Sequence, residues 1–141
     1  MSRIFWDTML FVYLLEGHPE FAPRVREQLA RSYQRDDTLL TSCLAVGEVM
    51  AGGAGDRAKA DAARTTIIEM GFSFLPFEER SIDRFSRLRS EHRLKAPDSI
   101  HLACAASAGV DMFLTGDTQL LKRSLHVPGI HFIVDFNLPI L

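Results

Sequence analysis

Four acidic residues stand in apolar company, where a carboxylate needs a reason to be. Asp7 follows Ile4-Phe5-Trp6, and Glu48 lies inside the run Leu44 to Met50. Asp98 follows Pro97 at the head of an apolar stretch, and Asp117 follows Phe113-Leu114-Thr115-Gly116. Taken singly, each has an ordinary explanation. Asp7 and Asp117 can cap the helices behind them. Asp98 in a first helical turn gains about 0.3–1 kcal/mol from the helix dipole. Glu48 fits the exposed edge of a helix, although it lies too far beyond Ser42 to complete a capping box with it.

Taken together they point to chemistry. Carboxylates held within a few ångströms repel one another and raise each other's pKa values, so such a group persists where a cation sits in it. Oxygen-only ligands select hard ions, Mg²⁺ or Mn²⁺, over zinc, and no His or Cys here has metal-ligand spacing. An ion held this way keeps positions for water and for a phosphate oxygen. Phosphodiester hydrolysis uses both: the metal lowers the pKa of the attacking water and neutralises the leaving oxygen.

The elements that must position these acids follow from the apolar pattern. Short strands are expected at Arg3 to Trp6, Thr38 to Thr41, Phe72 to Leu75, Val110 to Thr115 and Ile130 to Val134. Between them the pattern predicts helices from Thr8 to near Gly17, Pro19 to Tyr33, Ser42 to Met50, Asp56 to Met70, Glu78 to Glu91, Pro97 to Gly109 and Gln119 to Ser124. The Glu78 to Glu91 helix should lie on the surface with Ile82, Phe85 and Leu88 as its apolar stripe, whereas the one from Pro97 is apolar on nearly every side and should be buried. Short apolar strands alternating with helices predict an α/β, three-layer fold, a central parallel sheet of about four to five strands flanked by helices. In such a sheet the carboxyl ends of the strands and the starts of the helices share one edge, which is where Asp7, Asp98 and Asp117 fall.

Composition sets the frame. The 141 residues suit one domain, expected to span 1–141, with 47% hydrophobic and 24% charged residues. Cys43 and Cys104 lie in apolar stretches without CxxC spacing and read as buried thiols in a reducing compartment. No run reaches the roughly 18 apolar residues of a membrane helix, and a cytoplasmic, membrane-free protein is expected. The net charge of −2 argues against bulk electrostatic binding of nucleic acid, so such a function needs metal ions and a local basic patch. Arg84, Arg87, Arg89, Arg93 and Lys95 precede Asp98 and offer one, with Arg93 and Lys95 as candidate RNA-binding residues; the same run also reads as a solvated helix face.

At the four acids the chain resembles the PIN-domain nucleases, and most the VapC-type toxins of toxin–antitoxin pairs. The shared signatures are Ile4-Phe5-Trp6-Asp7-Thr8, Leu40-Thr41-Ser42 leading to Glu48, Ala96-Pro97-Asp98-Ser99-Ile100-His101-Leu102-Ala103, and Phe113-Leu114-Thr115-Gly116-Asp117. The resemblance implies a PIN-like fold, Mg²⁺ or Mn²⁺ dependence and endoribonuclease activity on RNA. It also implies a homodimer and a cognate antitoxin that blocks the site. Asp7, Glu48, Asp98 and Asp117 match the acidic quartet, with Asp7 and Asp98 foremost as metal ligands. Thr8 and Thr115 match supporting hydroxyl positions.

Two positions depart from the family pattern: Met9 stands where Asn is frequent, and Thr118 and Gln119 where a further acid often follows. The second favours one metal, or a weak pair, over a tight pair. His101 is expected to be a hydrogen-bonded core histidine. Competing readings are a catalytically weak scaffold that keeps the fold for binding, and a deoxyribonuclease. A phosphatase with Asp7 as nucleophile wants a second Asp where Met9 stands, and Gly52-Gly53-Ala54-Gly55 lacks the spacing of a dinucleotide site.

Overall fold

The computed structural model describes residues 1–138. Its elements run β1 (Arg3–Trp6), α1 (Thr8–Leu15), α2 (Ala22–Arg35), β2 (Thr38–Ser42), α3 (Cys43–Ala51), α4 (Arg57–Glu69) and β3 (Ser73–Leu75). A 3-10 turn (Glu79–Ser81) then leads into α5 (Ile82–Ser90), α6 (Ala96–Ala108), β4 (Val110–Thr115), α7 (Thr118–Lys122) and β5 (Ile130–Asp135). The strands form one parallel sheet in the order β3-β2-β1-β4-β5, as the alternation of strand and helix requires.

Side-chain alternation divides each central strand between two cores. Ile4 and Trp6 of β1, Leu39 of β2 and Leu114 of β4 face one way, onto Leu10 and Phe11 of α1, Val25 of α2 and Ile67 of α4. Phe5, Leu40 and Phe113 face the other way, onto Leu88 of α5 and Leu102, Ala103 and Ala106 of α6. Trp6, Phe11 and Phe72 pack edge to face or tilted, with centroids 4.7 to 5.1 Å apart, and Phe5 stacks on Phe113 at 4.8 Å. Such pairs contribute about 0.5–1.5 kcal/mol each beyond area burial. The small residues of α6 let it lie close against the sheet, and its residues from Leu102 to Ala106 are all buried. No helix among the described residues is long and apolar enough to cross a membrane.

Four local expectations are corrected. The second helix begins at Ala22, not Pro19, because the His18 ring nitrogen Nδ1 accepts from the Glu20 and Phe21 amides and holds a turn there. The Glu78 to Glu91 segment opens as a 3-10 turn, with a capping box between Glu78 and Ser81, before α5 starts. Ile82, the first residue of α5, is 51% exposed, and the buried stripe is carried by Leu88 with Phe85 partly covered. Cys43 heads α3 and is exposed, whereas Cys104 is buried, its thiol pushed up to about 11, chiefly by burial.

Candidate active site

The register of the sheet aligns the ends of β1 and β4, since Trp6 pairs with Leu114. Asp7, just after β1, and Thr115 to Asp117, at the end of β4 and just beyond it, therefore emerge together. The Asp7 amide continues the ladder to the Leu114 carbonyl at 3.0 Å, so the first acid is fixed before its helix begins. Its carboxylate is then held at both oxygens. Oδ1 accepts from the Thr8 amide at 2.9 Å, and Oδ2 accepts from the Thr115 hydroxyl at 2.8 Å. Thr115 is fully buried, and its Oγ1 also accepts the Asp117 amide at 3.1 Å. One hydroxyl thereby links the first and fourth acids. Asp117 spends Oδ1 on capping α7 through the Gln119 and Leu120 amides.

Asp98 is the exception among the four. It sits in the first turn of α6, half-buried, and its carboxylate oxygens accept no hydrogen bond from any described residue. Its pKa is raised above the ordinary 3.8, first by burial, then by the charges of Asp7 and Asp117; His101 and Lys95 pull the other way. A carboxylate that is desolvated, unbonded and flanked by two like charges stores unfavourable free energy, which a bound cation removes.

Glu48 joins from the opposite side through a buried relay. Ser42 Oγ caps α3 by accepting the Ala45 amide at 2.9 Å, which leaves its proton for His101 Nδ1, 2.7 Å away. His101 then carries its own proton on Nε2 and donates to Glu48 Oε1 at 2.9 Å, where Thr8 Oγ1 also donates at 2.7 Å. Nε2 lies 3.9 Å from Asp7 Oδ1 as well. One oxygen of Glu48 is thus pinned by two donors.

All four acids are thus on the same edge, but not equally drawn together. Asp98 feels the charges of Asp7 and Asp117, whereas Glu48 is coupled to Asp7 through Thr8 and His101. Among the described residues no group of three or more His, Cys, Asp or Glu side chains is placed to hold a metal ion. Mg²⁺ does not require one, since it commonly takes one or two carboxylates and completes its shell with water and phosphate. The open oxygens of Asp98, with the oriented carboxylate of Asp7, fit that donor set. Beside them lies a cavity of about 340 Å³ lined by Asp98, Asp117, Gln119, Arg93, Lys95 and Arg123. Arg93 and Lys95, singled out from the sequence, therefore flank two of the acids. Met9 is 43% exposed next to Thr8 on α1.

The sequence placed His101 correctly in the core, where it is 2% exposed, but missed that its partner is a site carboxylate. Spacing alone carries part of that signal: His101 lies one turn after Asp98 on the same helix. The Ser42 cap was visible, yet its second bond crosses between distant segments and has no local signature.

Fold and site together define an α/β domain with acids gathered at the carboxyl edge of a parallel sheet. The PIN domain profile matches residues 4–124. Ribonuclease VapC23 of Mycobacterium tuberculosis is 32% identical over 121 residues, which cover 83% of this chain and 94% of that protein. The chain belongs to the PIN domain family. Solved structures agree on the fold. VapBC2 from Rickettsia felis, bound to a DNA fragment from the promoter, superposes with a TM-score of 0.73 at 14% identity, covering 94% of this chain and 98% of that one. DNA-bound VapBC from Salmonella typhimurium gives 0.73 at 18% identity, with 96% and 99% covered. VapBC-5 from Mycobacterium tuberculosis, a member of the VapBC family of toxin–antitoxin systems, gives 0.66 at 18% identity over the same shares.

Proposed function

We propose that this chain is a Mg²⁺- or Mn²⁺-dependent endoribonuclease, the toxin of a toxin–antitoxin pair, hydrolysing RNA phosphodiester bonds at Asp7, Glu48, Asp98 and Asp117. The observation that carries the reading is Asp98: a half-buried carboxylate without a hydrogen bond, beside Asp7 and Asp117, on a cavity that also presents Arg93 and Lys95. Kinship with a protein named a ribonuclease supports the activity, and kinship in fold with VapBC complexes supports an antitoxin partner. A homodimer acting in the cytoplasm completes the proposal.

When bound, the cation supplies an activated water and neutralises charge on a phosphate oxygen. The chain's own residues do the positioning. Asp98 and Asp7 offer the principal ligand oxygens, Asp7 being oriented by Thr8 and Thr115. Glu48, steadied by His101 and Thr8, and the free oxygen of Asp117 hold protons or water on the flanks of the site. Arg93 and Lys95 bind the RNA backbone by charge.

The test is cleavage of a structured RNA mixture by the purified chain in Mn²⁺ or in EDTA, beside Asp98→Asn. Discrete products that need both the metal and Asp98 are expected. Cleavage that survives EDTA overturns the metal mechanism, and cleavage by folded Asp98→Asn overturns the site.

A further inference from the structure

The two cysteines of the chain meet where β2 and β3 end. Ser42, the last residue of β2, pairs in register with Leu75, the last residue of β3. The next residues, Cys43 and Pro76, therefore leave the sheet side by side, separated by about one strand spacing of 4.7–4.9 Å. The Cys104 thiol, on α6, donates to the Pro76 carbonyl at 3.6 Å. A second tie joins the same segments. Ser42 Oγ lies 2.7 Å from His101 Nδ1, with Cys43 one residue beyond Ser42 and Cys104 one turn beyond His101. Burial, and after it the charge of Cys43, pushes the Cys104 thiol up to about 11, so Cys104 lies within the field of Cys43.

The pair is divided as a redox pair must be. Both are free thiols; Cys43 is exposed at the head of α3, whereas Cys104 is buried. An oxidant in solution reaches Cys43 first, and the partner sulfur waits behind it. No third His, Cys, Asp or Glu joins them to make a metal site among the described residues. A disulfide asks for Cα atoms about 4.4–6.8 Å apart, of the order of the strand spacing that separates Cys43 from Pro76.

We propose that Cys43 and Cys104 form a reversible disulfide under hydrogen peroxide, a redox clamp that ties the head of α3 to the middle of α6. Glu48 lies on α3, and Asp98 and His101 lie on α6, so the bond joins two helices that carry acids of the site. The Cys43 sulfur attacks one peroxide oxygen, the O–O bond breaks, and water is released, leaving a sulfenic acid on Cys43. The Cys104 sulfur then attacks the Cys43 sulfur, the S–O bond breaks, and the departing hydroxide takes the Cys104 proton to become a second water. Two thiols and one peroxide thus give one disulfide and two waters, two electrons passing from the sulfurs to the peroxide. In a reducing compartment the bond is transient, formed when peroxide rises and reversed by small thiols. Its formation does not depend on the ribonuclease reading above.

The experiment treats the dilute full chain with hydrogen peroxide and maps its tryptic peptides by mass spectrometry without reduction. Expected is a linked pair, peptides 36–57 and 96–122, about 2 Da lighter than the two thiol peptides together and separated again by dithiothreitol. The linked chain should melt at least about 4 °C above the reduced one, because the bond closes a long loop in the unfolded chain. Cys43→Ser, a change at an exposed position, should give neither the link nor the shift. In Cys104→Ala, dimedone should trap the sulfenic acid on Cys43. Cys43 oxidised to sulfinic acid with Cys104 untouched, a disulfide between two chains, or two unreacted thiols overturns the clamp. So does a linked chain whose melting temperature is unchanged or lowered.

Discussion

Thr115→Val isolates one hydroxyl at the centre of the site. Thr115 is fully buried, and Val reproduces its shape, so the substitution leaves no cavity. It deletes a 2.8 Å bond to the charged Asp7 and strips the Asp117 amide of its acceptor at 3.1 Å. A hydrogen bond to a charged group contributes about 1.5–3 kcal/mol, and the half-exposed amide costs about 1 kcal/mol when unmet. The expected loss is about 2.5–4 kcal/mol. For 141 residues the unfolding entropy makes each kcal/mol equivalent to about 3.4 °C, so Tm should fall by roughly 8–14 °C. Differential scanning calorimetry of the wild type, Thr115→Val, Asp7→Ala and the double variant closes a cycle. Its coupling should be at least about 1.5 kcal/mol, the contribution of the charged bond. A melting point within about 2 °C of wild type, or zero coupling, would falsify the claim that Thr115 orients Asp7.

The remaining predictions concern the other acids and one tight approach. Asp98 binds its proton more tightly folded than unfolded, so the metal-free chain loses stability as pH rises from 3.8 through the raised value. Asp98→Asn should therefore melt higher than wild type at pH 7 in EDTA, the advantage shrinking at pH values below 3.8; a constant difference across that range would contradict the raised pKa. His101→Leu should cut activity by about 10- to 100-fold through the loss of Glu48's support, whereas His101→Gln, which can present an amide proton near the Nε2 position, should recover part of it. Equal activities in the two variants would assign His101 to packing alone. Gly129→Ala should lower Tm by more than about 10 °C, because the new Cβ would lie 2.3 Å from the Ala106 carbonyl oxygen at a φ of +102°. Wild-type melting there would mean that the loop before β5 yields freely.

Much of this molecule is legible in sequence order because its determinants are local. A strand such as Ile4-Phe5-Trp6 buries both faces and shows as an unbroken apolar run, and Pro97 and Gly109 mark the two ends of α6. The acids were legible by the same logic, being polar residues at the ends of apolar elements. What the sequence withheld depends on distant partners. Cys43 stands in an apolar run, yet at the head of α3 it is exposed while Ala45 and Val46 of the same turn are buried, and no local pattern separates it from Cys104. Ile82 fits a helical stripe, but as the first residue of α5 it lies at the end of the helix and is exposed. The inequality among the acids was hidden too. Which carboxylate is fully bonded and which is bare depends on Thr115 reaching Asp7 and His101 reaching Glu48, across 108 and 53 residues.

The strand order carries a consequence for synthesis. β1 is made first, yet it occupies the middle of the sheet, and its right-hand neighbour β4 spans Val110–Thr115. While the chain is still on the ribosome, Asp7 has no Leu114 carbonyl to fix its amide and no Thr115 hydroxyl to orient its side chain. The site therefore cannot close until β4, Val110–Thr115, has been translated and has left the exit tunnel.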